Sequence, residues 1–162
     1  MTRSGELKAG LELEHDAFLA ALELVDFELV TVPGIVDDWS VRDLVVHVAF
    51  WAEHAVEALA LAAAGRGDEF TYDTARTDAM NARLLEESRR ITPTGAIERE
   101  VRAFEAFSAA LAALDPELLD LRLGNGDTVA DVVGYDGAAH YREHAAHLRA
   151  WFDEEPDDDD DA

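Results

Sequence analysis

Ser40-Val-Arg-Asp-Leu-Val-Val-His-Val-Ala-Phe-Trp-Ala-Glu-His-Ala-Val-Glu-Ala-Leu59 decides the fold. It opens on a serine with an acid three residues later, the pattern of a capping box. Leu44, His47, Val48, Trp51, Ala55 and Leu59 then recur at steps of three and four, one face of an α-helix. The run ends near Gly65-Arg-Gly67.

Outward from this segment the same periodicity continues, and strand signals are nearly absent. Upstream, Leu7, Leu11, His15, Phe18, Leu22, Val25 and Leu29 share one face, predicting a helix over about residues 5–30. Thr31-Val-Pro-Gly34 ends it, because proline cannot continue a helix and glycine suits a turn. Downstream, residues 73–91 read as a third helix with Met80, Leu84 and Leu85 inward. Thr92-Pro93 reads as an N-cap followed by proline in the first turn, and residues 93–114 continue helical through Ile97, Val101, Phe104, Ala110 and Leu111. These two segments read equally as one kinked helix or as two short ones. Leu123-Gly-Asn-Gly-Asp127 is a turn, and Asp127 or Thr128 caps a last helix over 128–152. There are no internal repeats. The expectation is an all-α bundle of four or five helices over residues 5–152, with 153–162 as an acidic, solvated, disordered tail.

Composition narrows the function classes. The chain has 162 residues, 13 Lys+Arg against 36 Asp+Glu and a formal charge of −23. Lys8 is the only lysine. Nucleic-acid binding needs clustered cations, and so does an anionic membrane surface, so neither is expected as a partner. With no cysteine, disulfides, thiolate metal sites and cysteine nucleophiles are excluded. No apolar run is read as approaching the ~20 residues of a membrane span, and the N-terminus lacks a signal-peptide core. A soluble, cytoplasmic protein is expected. Acid spread over every amphipathic segment, with lysine nearly absent, resembles the proteins of salt-accumulating halophiles.

The last helix carries the chemistry. At 100° steps one face reads Val129, Val133, Asp136, His140, His144, His147 and Trp151, apolar at both ends and ionisable between. Such a stripe is costly in a core unless partners or a ligand satisfy it. His140 and His144 are one turn apart, a two-ligand arrangement for a transition metal. A third ligand must come from another helix. His47 is the best placed, His54 lies roughly 10 Å further along the same helix, and His15 is the remaining candidate. The plainer reading is a set of partly buried, hydrogen-bonded histidines. Trp39, Trp51, Tyr141 and Trp151 read as core or pocket-wall aromatics, with Tyr141 flanking the stripe. His140-Tyr-Arg-Glu143-His144 also matches a His-x-x-Glu-His zinc-peptidase pattern. That class needs a further downstream ligand, and only 18 residues follow His144. Phosphate-loop, dinucleotide and nucleophile-elbow motifs are absent.

Asp38-Trp-Ser-Val-Arg-Asp-Leu-Val-Val-His47 and Ala139-His140-Tyr-Arg-Glu-His144 together resemble the DinB-like superfamily. The His-Tyr-x-x-His form is closest to its ClbS/DfsB branch. The resemblance implies an up-down-down-up four-helix bundle, often a homodimer, with nickel, zinc or another divalent ion on three histidines. By motif position these are His47, His140 and His144. It also implies thiol-dependent transfer or isomerisation, or hydrolysis of a reactive small molecule. Glu143 or Asp136 would then orient a ligand or accept a proton, with His54 and His147 behind them. Two other readings stay open: a metal-free pocket that binds or sequesters a small molecule between Trp51, Tyr141 and Trp151, and an interaction module with satisfied core histidines.

Overall fold

A computed structural model describes residues 2–153. Its helices are α1 (Arg3–Glu23), α2 (Val41–Ala63), α3 (Thr77–Ser88), α4 (Pro93–Ala113), α5 (Val129–Val133) and α6 (Ala139–Asp153). No strand occurs among the described residues; two isolated bridges, Val36–Trp39 and Arg122–Thr128, close tight connections. The expected acidic tail lies outside the described residues, apart from Asp153 at the end of α6.

Neighbouring side chains fix the directions of the four long helices. Val41 and Val45 of α2 share a groove with Pro93 and Ala96 of α4, and Glu53 pairs with Arg99, so α2 and α4 run parallel. Ala49, Ala52 and Ala103 meet between them, and small residues there allow close approach. In α1 and α6, Leu11 lies by Gly137 at the entry to α6 and Glu14 bonds Arg142, again parallel. His47 meets His140 while His54 meets Asp136, so α2 and α6 oppose. The result is the up-down-down-up order. Its core includes the fully buried Leu11, Phe18, Leu44, Leu59, Phe107, Leu111 and Leu148, each worth about 1.5–3 kcal/mol relative to exposure.

Local chemistry places the ends. Ser40 accepts from the Asp43 amide while the Asp43 carboxylate accepts from the Ser40 amide, a full capping box. The Asp43 carboxylate also accepts from the Ser88 hydroxyl, tying the end of α3 to the start of α2. Thr92 caps α4 with Pro93 in its first turn, so α3 and α4 are two helices, and α4 is long. Thr128 and Asp131 form the second capping box.

Three expectations are corrected. The first helix stops at Glu23, not residue 30: Asp26 turns extended and caps a short 3₁₀ turn over Phe27–Leu29, which leaves Leu29 42% exposed. The last helix is not continuous from 128 to 152. After α5 the chain makes a π-turn over Gly134–Ala138, where Gly137 leaves helical geometry at φ −109°, ψ −113°. A Cβ on Gly137 would stand 3.2 Å from both Leu11 and Phe107, so glycine lets α1 and α4 close on the break. Finally, α2 is long and apolar enough to cross a membrane, contrary to the reading of the runs. Two-thirds of that window is buried inside the bundle (67%), as expected for a helix packed on several sides.

Candidate functional site

His47 sits on the inward face of α2, and His140 and His144 lie one turn apart on α6. The His140 Nε2 lies 2.9 Å from the Nε2 of His47 and 2.9 Å from the Nε2 of His144. All three ligand atoms fall within 4.8 Å of one another. An imidazole nitrogen carries either one proton or one lone pair. The His140 Nε2 therefore cannot complete hydrogen bonds to both neighbours. A cation shared by three lone pairs resolves that conflict, and the donor set suits a divalent transition ion.

The protonation state fits. Burial pushes His47 down to about 4. Burial, then the neighbouring imidazoles, push His140 to about 3 and His144 to about 2. All three are neutral at pH 7. If each Nε2 is the free donor, each proton sits on Nδ1. The His144 Nδ1–H then donates to His147 Nδ1 at 3.1 Å, which fixes the His144 ring and places the His147 proton on Nε2. The Nδ1 atoms of His47 and His140 are buried without a protein partner.

The π-turn aims Asp136 at α2. Its carboxylate meets His54 Nδ1 at 2.8 Å. Burial raises the Asp136 pKa, and the His54 bond opposes the rise. His54 is thereby committed to Asp136 and stands among Phe70, Tyr72 and Trp51, with its Nε2 unpartnered. It does not join the triad.

His15 and Tyr141 are corrected as site residues. His15 Nε2 lies 2.8 Å from Glu100 Oε1, and the Tyr141 hydroxyl donates to the same oxygen at 3.0 Å. His15 also stacks on Phe104, with ring centroids 3.6 Å apart. This buried cluster joins α1, α4 and α6, and Tyr141 is not among the residues that line the cavity beside the triad. Trp151 lies against Gly34 and also stands outside it. Glu100, 1% exposed, escaped notice in the sequence. Its signal was there: Ala96, Glu100, Ala103, Phe107 and Leu111 form one helical face.

The triad lies in a cavity of about 660 Å³. Trp39, Trp51 and Tyr72 are its large aromatic walls, and Asp136, Glu143 and His147 also line it. Trp51 Nε1 donates to Asn81 on α3 at 3.1 Å, which holds the indole in the wall. Tyr72, Asn81 and Tyr135 are lining residues that sequence reasoning missed. Tyr72 and Tyr135 come from connections, where no periodicity marks a facing side, and Asn81 is a polar side chain one turn before Leu84 and Leu85 on α3.

No curated protein matches the chain significantly. A crystal structure of an uncharacterised protein from Escherichia coli UTI89 is similar, with a TM-score of 0.78 and 15% sequence identity over 93% of this chain and 92% of that one. At that identity the likeness shows the fold. Residues 11–150 match the family described as the mycothiol maleylpyruvate isomerase N-terminal domain. The chain belongs to this family, within the DinB-like superfamily.

Proposed function

We propose that this protein is a metal-dependent enzyme acting on a reactive small molecule in the cavity beside His47, His140 and His144. The observation that carries the reading is the convergence of three neutral imidazole Nε2 atoms at one point of that cavity. These residues would hold nickel or zinc. Such an ion, when bound, acidifies a water or thiol and supplies a nucleophile at neutral pH. His147 orients His144 through its Nδ1. Asp136 faces the cavity, braced by His54, and its raised pKa suits a proton acceptor. Glu143 stands on the exposed side of the cavity as a second carboxylate. Trp39, Trp51 and Tyr72 shield the substrate from water.

The family name includes a thiol cosubstrate, mycothiol, and supports thiol-dependent transfer or isomerisation. The ClbS/DfsB-like His-Tyr-x-x-His form of α6 supports hydrolysis instead. A wide pocket with His47 too far from His140 to share an ion would favour a metal-free sequestering role, and the 2.9 Å separation of their Nε2 atoms counts against it. On composition, we place the protein in the cytoplasm of a salt-accumulating cell.

Tag-free protein, stripped and reconstituted with Ni²⁺ or Zn²⁺, tests the reading. One ion per chain is expected, lost in His140→Ala and kept in His15→Ala. Sub-stoichiometric metal after reconstitution, or unchanged binding in His140→Ala, would reject it.

A further inference from the structure

Three exposed carboxylates line the cavity: Asp37 from the α1–α2 connection, Asp78 from the first turn of α3 and Glu143 from α6. No Lys or Arg lines it among the described residues. The ion pairs formed by lysine and arginine among those residues use other acids, so these three carboxylates are not neutralised. They share the cavity with the aromatic rings of Trp39, Trp51 and Tyr72. The Trp51 and Tyr72 rings stand 5.4 Å apart and near perpendicular. Aromatic faces attract cations, more strongly where water is thinned out.

We infer that the cavity selects a small molecule with an apolar body and a cationic ammonium or guanidinium group, and disfavours anionic ligands away from the histidine cluster. The inference rests on the cavity being the binding site, as proposed above, and not on which ion the histidines hold. An ammonium would sit between aromatic faces and carboxylates. A carboxylate in that place would meet three like charges and no lysine or arginine.

Phenethylamine and 3-phenylpropionate test this, being close in shape and opposite in charge. Trp39 and Trp51 line the cavity, so tryptophan fluorescence reads occupancy. Titrations are run on the full chain, zinc-free and zinc-loaded, at ~0.15 M KCl. In the zinc-free protein the amine is expected to bind at least ~tenfold tighter than the carboxylate, the size of effect two or three charges give in a partly sheltered site. Asp37→Asn with Asp78→Asn should cut that ratio to ~threefold or less. Asparagine tolerates the left-handed backbone of Asp37, φ 49°, so the change is one of charge. Equal or tighter binding of the carboxylate to the zinc-free protein would overturn the inference. So would an absence of saturable amine binding, or a ratio unchanged in the double variant. Zinc stoichiometry is read separately, so failure of the metal site and failure of charge selection give different results.

Discussion

Lowering the pH from 7.5 to 5.5 should strip the metal-free protein of about 4 kcal/mol of stability. His47, His140 and His144 titrate near 4, 3 and 2 in the fold. In the unfolded chain each returns to its ordinary value near 6.5. The unfolded state therefore binds more protons below 6.5, and stability falls as the pH falls. At pH 5.5, one unit below the unfolded pKa, each imidazole contributes RT ln(1 + 10), about 1.4 kcal/mol, against almost nothing at 7.5. The sum needs only folded values well below 5.5, so it does not depend on their depth. Asp136 acts in the opposite sense, because burial raises its pKa and protonation relieves it. Urea unfolding followed by circular dichroism, at both pH values and fixed KCl, measures the difference. His140→Gln should lower it by about a third, having one fewer buried imidazole to protonate. Zinc added at pH 7.5 should stabilise the native chain but not the Gln variant to the same extent. A loss under about 1 kcal/mol between the two pH values would refute the buried, neutral state of the triad and the metal reading built on it.

Gly137→Ala should destabilise by about 1–3 kcal/mol, because its methyl must push Leu11 and Phe107 back by a few tenths of an ångström in a filled core; urea midpoints check it. Tyr141→Phe should cost about 1.5–3 kcal/mol through the lost bond to buried Glu100, with metal stoichiometry unchanged. Removal of His147 should leave one ion per chain but weaken it by about ten- to a hundredfold, as measured by chelator competition. The formal charge of −23 predicts a melting temperature that climbs with KCl towards the molar range, and a flat salt profile would count against self-repulsion as a main force.

Where helices pack by period, the sequence was readable. The stripe of α2, both capping boxes and the Thr92-Pro93 start of α4 follow from apolar spacing and end signals, whereas the up-down-down-up order came only with the family resemblance. The ends that failed were decided by local competition. Asp26 offered the backbone a cap of its own and stopped α1 seven residues early. The outer cavity wall came from Tyr72 and Tyr135 on connections, which no repeating pattern announces, and from Asn81, a polar residue on the inward side of a short helix.

The candidate site shows why a stripe is not yet a site. The 100° reading set Asp136, His140, His144 and His147 on one face and left three inward histidines elsewhere to compete for the ion. The structure sorts them by their partners. His15 has Glu100 and His54 has Asp136, each a carboxylate oxygen at 2.8 Å, so each is held through one ring nitrogen by its own acid. The Nε2 atoms of His47, His140 and His144 face one another, and three such nitrogens cannot satisfy themselves with one lone pair or one proton each. Gly137 makes the division possible. By breaking the helix it turns Asp136 towards His54, and α6 restarts with His140 and His144 opposite His47. A helix running unbroken from Thr128 could not be assumed to present Asp136 to His54 and the pair to His47 together. The plainer reading of hydrogen-bonded core histidines therefore fits His15 and His54, each bonded to a carboxylate, and the metal reading is confined to the three that have no such partner.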